Sequence, residues 1–477
     1  MRIESHPILT FRRGREIQFT FDGIPIKAFD GETIAAALHA TGIRVLSKSL
    51  RRHRPRGFFC AIGKCSSCLM EVNGVPNIKS CMVMARDGMV VKSQTGWGKL
   101  PASTSTTQFI RKDFPLYQTE IAIIGGGPAG LSAAIYAAKL GAKVMIFDEN
   151  AVIGGQLIKQ THMFFGSRDH YAKIRGIDIS NKLIEQLQGL DVQIFTDTSV
   201  IGYFHPHTLA IIHQGRLKQV RARKVIVATG AAENMLAFEN NDLPGVYGAG
   251  AVQTLMNVYG ILPGETILMV GAGNIGVIVS YQLLQAGAKV AAVIEALPSI
   301  GAYQVHASKI ARTGVPILTS HTIQAAIGND RVEAARIVRI DRNWKEIPGS
   351  ERELAVDTIC LSVGLNPTSE ILSQAGCEMR YIAPLGGNVA LHDENLETSV
   401  PGLYVAGDVS GIEEASSAML EGRLCGIGAV EKLTGTTEEI RRLKADVIKG
   451  LQELRSGPFG EKTRTGEHQL AKEWHKR

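Results

Sequence analysis

The densest group of reactive side chains in this 477-residue chain is Cys60-x4-Cys65-x2-Cys68-x12-Cys81. Four thiolates can hold two irons bridged by two sulfides, and x4, x2 spacing with a distant fourth ligand is the plant-type [2Fe–2S] pattern. Gly57 before the run and Gly63 within it let the loop fold over such a cluster with backbone N–H groups turned to sulfur. A four-cysteine zinc site and a Cys65/Cys68 dithiol are the competing readings. Zinc sites usually pair two short C-x-x-C-like hairpins, and only one short pair exists here, so the cluster is the expectation. Just upstream lies Arg51-Arg52-His53-Arg54-Pro55-Arg56. These cations could stabilise an anionic cluster, or form a solvated edge that docks on an acidic neighbour; both readings stay open.

The second chemical feature is Gly125-x-Gly127-x-x-Gly130, which follows the strand EIAII and opens the helix PAGLSAAIYAAKLG at Pro128 and Ala129. In a dinucleotide fold such glycines allow a tight turn, approach of a pyrophosphate, and close helix–strand packing. The helix N-terminus then turns free N–H groups to the phosphates. Asp148, with Glu149 beside it, ends the next strand, where an acid takes ribose hydroxyls. FAD is indicated by Gly155-Gln156 shortly after the acid, Ala228-Thr229-Gly230 closing a later apolar strand, and Gly407-Asp408 before another helix. An acid placed like Asp408 can bind a ribityl chain, and the following helix would favour reduced, anionic flavin.

A third feature repeats the second: Gly271-x-Gly273-Asn274-Ile275-Gly276 after ETILMV. Its next strand puts Ile294 where the first copy has Asp148, and the acid, Glu295, comes one residue later. No arginine pair stands there for a 2′-phosphate. NAD, ATP, or an empty structural copy are the readings for this site.

Several absences narrow the chemistry. No C-x-x-C or C-x4-C pair lies between the first glycine motif and Gly407 to serve as an active disulfide, and no serine elbow, His/Glu zinc pattern or paired carboxylates stand out. Cys360 and Cys425 read as packing residues, and His205 and His207, flanking Pro206, as surface residues.

Three regions position these groups. Residues 1–95 read as a small α+β, plant-ferredoxin-like domain. It comprises a hairpin about Asp22-Gly23, an Ala-rich helix to about Gly42, the cysteine loops, and a closing strand at Val90–Ser93. Residues 96–117 read as a linker. From there strand, glycine turn, helix and strand occur twice, an α/β pattern too widely spaced for a solenoid. The expected division is an FAD domain at 118–245 and 366–435, an NAD-type domain at 246–365, and a C-terminal helix and polar tail at 436–477.

Composition agrees with a folded, multi-domain protein: 45% hydrophobic, 20% charged, 51 glycines and a net charge of +7. Residues 1–60 hold eleven Lys/Arg against five Asp/Glu, so that segment alone supplies +6. No aromatics interleave with this charge, which argues against nucleic acid as partner. Seven cysteines with one cluster fit a reducing compartment. No leader-like start and no apolar run of about 18–20 residues is present, so a cytoplasmic chain without a membrane span is expected.

Together these motifs resemble the α-type flavin subunit of heteromeric amine and amino-acid dehydrogenases, a family that includes L-proline dehydrogenase, hydrogen cyanide synthase, opine oxidase and sarcosine oxidase. The resemblance rests on His53-Arg54-Pro55-Arg56-Gly57, the cysteine quartet, the flavin signature, Leu243-Pro244-Gly245-Val246 with Gln253-Thr254-Leu255, and the Gly407-Asp408 segment. Ala61 stands where relatives often have glycine, and the cysteine-rich C-terminal segment of some relatives is missing. The resemblance implies a two-dinucleotide-binding flavoprotein, its FAD domain split around an NAD-type domain. It also implies a redox subunit working with a β-type flavoprotein that oxidises an amino acid such as proline or sarcosine, and with small iron–sulfur subunits. The rival expectations are a self-sufficient NADH:acceptor oxidoreductase and a scaffold whose nucleotide sites are only structural.

Overall fold

The computed structural model describes residues 1–99 and 114–477. They fall into two compact units, Met1–Thr107 with Glu233–Gly364, and Gln108–Ala232 with Leu365–Arg477. Most of the expected linker lies outside the described residues; its last two, Leu116 and Tyr117, open the strand Leu116–Ile124. Among the described residues no helix is long and apolar enough to cross a membrane.

The first unit begins with a five-stranded mixed sheet. Its order is Ile24–Phe29, Glu16–Phe21, Val90–Ser93, Leu69–Val72, Val75–Lys79. Alternation buries Ile17, Phe19 and Phe21. Asp22 and Gly23 both take positive φ, the geometry of a tight hairpin turn. The helix Ile34–Ala40 is capped by Thr33, whose hydroxyl accepts from the Ala36 N–H at 3.3 Å, and all its residues are buried.

The rest of this unit is a five-stranded, all-parallel sheet in the order Val246–Gly248, Thr358–Leu361, Thr266–Val270, Lys289–Glu295, Ile317–Thr319, with a small antiparallel sheet beside it. Its central strands are apolar on both faces, as a covered parallel sheet requires. The cysteine domain is seated on it. His39 directs Nε2 at the carbonyls of Leu262 (3.1 Å) and Pro263 (3.2 Å), and Arg44 donates to the Pro263 carbonyl at 2.6 Å and the Tyr247 hydroxyl at 3.0 Å. Burial, then the Arg44 charge, lower the His39 pKa to about 3, so the imidazole is neutral there.

The second unit holds a seven-stranded sheet. Val192–Phe195, Val144–Phe147, Leu116–Ile124 and Arg216–Val227 run in that order, with Leu403–Val405 also beside Arg216–Val227, all parallel. Arg216–Val227 also continues into an antiparallel meander with Thr208–His213 and Thr198–Phe204. The helices Pro128–Lys139 and Ala415–Thr434 lie unusually close. A Cβ at Gly422 would come within 2.0 Å of the Ala129 carbonyl oxygen, and one at Gly426 within 2.4 Å of that of Ala133. Glycines four apart on one helix facing alanines four apart on the other explain why neither stretch tolerates bulk.

Two expectations change. The polar stretch expected as a tail forms the helix Glu461–Trp474, which follows the amphipathic helix Glu438–Arg455. Only Thr463, Gly466 and Leu470 of it are buried, a seam too narrow to show as an apolar stripe. Leu470 packs with Ile382, Leu385, Val389 and Leu391. Second, His205 is exposed but His207 is half-buried, its Nδ1 2.8 Å from the Tyr203 hydroxyl.

Candidate cofactor sites

The cysteine loop gathers its four thiols. Cys60, Cys68 and Cys81 are buried and Cys65 is half-buried. Hydrogen-bonding contacts link Cys65 to Cys60, Cys60 to Cys81, and Cys81 to Cys68. The Cys65 N–H also points at the Cys60 sulfur, 3.5 Å away. Among the described residues, no three His, Cys, Asp or Glu side chains are grouped as a site for a single metal ion. The thiols instead form a chain of neighbours. Such a chain suits a dinuclear group held by Cys60 and Cys65 at one end and by Cys68 and Cys81 at the other. Hydrogen bonds from Cys65 and Cys81 hold the Cys60 thiol well below its ordinary pKa, and the same contacts raise those of the two donors.

The loop that carries them is braced from below. The Gly248 N–H donates to the Phe59 carbonyl at 3.1 Å, and Phe59 and Cys60 pack among Leu243, Val246 and Ile359. Arg54 forks onto Asp242 at 3.0 and 3.1 Å through Nε, and Arg56 reaches the same carboxylate at 2.5 Å. Of the two readings of the basic run, docking on an acid therefore accounts for Arg54 and Arg56. Arg51 and Arg52 are exposed.

In the second unit the structure brings the first glycine motif together with four other segments. Gly125 has φ +105°, and a Cβ there would lie 2.2 Å from the Ala228 carbonyl oxygen, so Ala228-Thr229-Gly230 abuts the turn. The Gly154 N–H donates to the Gly126 carbonyl at 2.9 Å, and a Cβ at Gly155 would lie 2.7 Å from the Gly127 Cα. Asp148 accepts from the Gly126 N–H at 2.7 Å and the Asn150 N–H at 2.8 Å. Gly407 meets Ala129, a Cβ there being 3.0 Å from the Ala129 Cβ. Glu149 and Gln156 are exposed at the margin. A bare glycine-on-glycine gap, facing the start of the helix Pro128–Lys139, is a cradle that a diphosphate fits and any side chain would fill. Burial, with repulsion from Glu421, Glu414 and Glu413, pushes the Asp408 carboxyl up to about 7, against one N–H donated by Glu413.

The second glycine motif, in the first unit, matches this geometry and corrects one reading. The strands Thr266–Val270 and Lys289–Glu295 carry a register shift: Ile267 pairs with Val290, but Leu268 pairs with Ala292. This bulge absorbs the extra residue. Ile294 therefore pairs with Val270 as Phe147 pairs with Ile124, and Glu295 stands where Asp148 stands. Glu295 accepts from the Ala272 N–H at 2.8 Å and the Leu297 N–H at 3.0 Å, the same two-bond pattern. Gly273 begins the helix Asn274–Gln285, Asn274 accepts from the Tyr303 N–H at 2.8 Å, Ile275 is exposed, and a Cβ at Gly276 would strike the Gly271 carbonyl oxygen. Sequence reasoning missed Ser362-Val363-Gly364, which packs on Gly271 as Ala228-Thr229-Gly230 packs on Gly125. The signal was available: a small-residue run ending in glycine directly after the apolar strand Thr358–Leu361.

Comparisons with known proteins agree with both halves of this description. The profile of the pyridine nucleotide-disulphide oxidoreductases matches residues 119–422, and that of a 2Fe-2S iron-sulfur cluster binding domain matches residues 14–96. The alpha chain of sarcosine oxidase from Corynebacterium sp. (strain P-1) is 27% identical over 443 residues, covering 89% of this chain and 44% of that protein. An opine oxidase subunit from Rhizobium meliloti (strain 1021) is 28% identical over 342 residues, covering 67% of this chain and 72% of that one. This chain thus spans under half the length of the sarcosine oxidase chain it matches. Among solved structures, L-proline dehydrogenase from P. horikoshii superposes with a TM-score of 0.70 at 24% identity, over 93% of this chain and 79% of that one, and so shares the fold. The chain belongs to the pyridine nucleotide-disulphide oxidoreductase family, as a FAD-dependent oxidoreductase that carries an N-terminal [2Fe–2S] domain.

Proposed function

We propose that this chain is the redox subunit of an amine or amino-acid dehydrogenase complex, passing electrons between FAD, a [2Fe–2S] cluster and an acceptor. The observation that supports it most is the union, in one chain, of a flavin-type cradle and a cysteine quartet, with no C-x-x-C or C-x4-C pair between Gly125 and Gly407 for disulfide chemistry. The sarcosine oxidase chain, named as a subunit, aligns over 89% of this chain, a span that takes in both features. FAD supplies two-electron exchange when bound, and a [2Fe–2S] cluster carries electrons singly.

The chain's own residues would do the holding. Cys60, Cys65, Cys68 and Cys81 ligate the irons. Gly125, Gly127, Pro128, Ala129 and Gly130 receive the diphosphate, Asp148 the adenosine ribose, Gly155 and Gln156 border the pyrophosphate, and Ala228-Thr229-Gly230 and Gly407-Asp408 border the flavin. No side-chain acid–base pair is needed for such exchange. The amine would be bound and oxidised on a partner flavoprotein, in a cytoplasmic hetero-oligomer; the other three cysteines, Cys360, Cys377 and Cys425, are buried and unpaired.

A second reading, an NADH:acceptor oxidoreductase, gains support from Glu295. Its placement equals that of Asp148, so the second site offers an adenosine ribose the same acceptor and suits NAD or ATP better than an empty copy.

Anaerobic titration of the purified full chain separates these readings. NADH that bleaches the flavin directly supports the second. No bleaching by NADH, with bleaching by proline or sarcosine once a partner flavoprotein is added, supports the first. A purified chain with neither flavin absorption nor iron would refute both.

A further inference from the structure

Beyond the residues that line the flavin cradle, the C-terminal helix Glu438–Arg455 reaches the turn at Gly407 through a buried ionic chain. Glu421, in the helix Ala415–Thr434, is 3% exposed. One of its oxygens accepts from the Gly407 N–H at 2.8 Å and from the Ser410 hydroxyl at 2.8 Å. Its other oxygen accepts from Arg455 Nη2 at 2.5 Å. Arg455 also forks onto Glu413, at 2.8 Å through Nη2 and 3.1 Å through Nε, and Glu413 in turn donates its N–H to Asp408 at 3.4 Å. The Gly407–Asp408 turn is thus held at both ends by carboxylate residues that share one guanidinium. Burial opposes the Arg455 charge, but Glu421, Glu413 and Glu467 outweigh it and keep the side chain charged.

We propose that Arg455 is a positioning residue for FAD, fixing the Gly407–Asp408 turn through Glu421 and Glu413. The inference rests on the reading of that turn as a flavin contact. Removing one partner of a buried ion pair leaves the other charge uncompensated, whereas removing both is often nearly neutral. Without Arg455, the buried Glu421 carboxylate keeps two neutral donors but no cation, and the local structure must open to hydrate it. The N–H of Gly407 and the hydroxyl of Ser410 lose their fixed acceptor in doing so. Arg455 lies beyond residue 422, where the match to the oxidoreductase profile ends.

The test uses the full chain, stripped of FAD and titrated with it while flavin fluorescence is followed. Arg455→Met is expected to weaken FAD binding by about tenfold or more. The cluster's visible absorption should not change, because the cysteine quartet lies in the other unit. The triple variant Arg455→Met/Glu421→Gln/Glu413→Gln removes the cation and both buried carboxylates it pairs, keeps an amide oxygen to accept from Gly407 and Ser410, and should return to within about threefold of the wild type. That rescue is what a merely structural clamp on the C-terminal helix would not give. Undiminished affinity in Arg455→Met overturns the proposal, and so does a triple variant that binds as weakly as the single one. Should Arg455→Met fail to fold, the triple variant alone decides, by the same threefold and tenfold limits. Wild-type protein that binds no FAD would instead refute the reading of the turn on which the proposal stands.

Discussion

The two glycine-turn regions solve one steric problem twice with different residues. Gly125 and Gly271 have φ +105° and +106°, and at each a Cβ would lie 2.2 Å from a carbonyl oxygen, of Ala228 in one case and Ser362 in the other. Their acids, Asp148 and Glu295, bind equivalent backbone N–H groups. The differences lie around this shared frame. The first has proline at the head of its helix and a bare glycine gap, with the Gly407 turn closing on it. The second has Asn274, which accepts from Tyr303, and in place of the Gly407 turn it has Gly248, where the strand Val246–Gly248 passes into the helix Ala249–Gln253. Their supports differ too: C-terminal helices pack in the unit of the first, and the cysteine domain is seated on the sheet of the second. Steric demands at a turn are strict, whereas ligand choice and structural support are set by what is placed around it.

The sharpest way to break this comparison is at the turns. Gly125→Ala and Gly271→Ala each force a side chain into a left-handed backbone and against a carbonyl, a strain on the order of 3 kcal/mol. Gly125→Ala should lose FAD outright, seen in the flavin content of purified protein. Gly271→Ala should keep FAD and lose any flavin bleaching by NADH. Equal loss of FAD in both would show that the two regions do not hold separate ligands.

A smaller effect is expected at the acids. Asp148→Asn should weaken FAD and Glu295→Gln should weaken NADH or ATP, each by about tenfold, as loss of a charged hydrogen-bond acceptor implies. Isothermal titration with each nucleotide checks whether the bulge has made the two acids equivalent. If Glu295→Gln binds as wild type does, the second acid serves only the turn.

The smallest effect concerns the support under the second region. His39 is neutral in the fold with a pKa of about 3, whereas in the unfolded chain it has its ordinary value of 6.5. As pH falls below 6.5 the unfolded chain takes up a proton that the folded chain refuses, so stability is lost as pH falls. Between pH 6.5 and 5.5 this amounts to about 1 kcal/mol. His39→Gln, which can still donate to the carbonyls of Leu262 and Pro263, should flatten that slope in denaturant melts of the first unit. The N-terminal ammonium and Arg44, which also repel the proton, remain in the variant. An unchanged slope would mean that this contact does not couple to the unit's stability.

What could be read in the sequence follows from the range over which each constraint acts. The Asp22–Gly23 hairpin and both glycine turns were legible because a positive φ or a missing Cβ is a local demand, written in one residue type. The place of Glu295 was misread because a count along the chain assumes an unbroken ladder, and the bulge at Ala291 breaks it. Ser362-Val363-Gly364 was passed over because only its strand, not the turn after it, was weighed. The helix Glu461–Trp474 was hidden because it docks through three small or single contacts rather than an apolar face. Arg455 and Glu421 lie 34 residues apart in sequence, and nothing local in either helix marks them as partners.

The cysteine domain comes first in the chain, yet the sheet on which it is seated is built from Glu233–Gly364. On a ribosome adding about 5–20 residues per second, its supporting strands follow it by roughly ten to fifty seconds. Over that interval the thiols of Cys60 and Cys65 stand without the packing of Leu243, Val246 and Ile359 beneath them. Iron delivered early would meet an exposed and unbraced loop, and iron delivered late a finished one. The order of synthesis thus gives the nascent chain a period of oxidative risk that the completed fold ends.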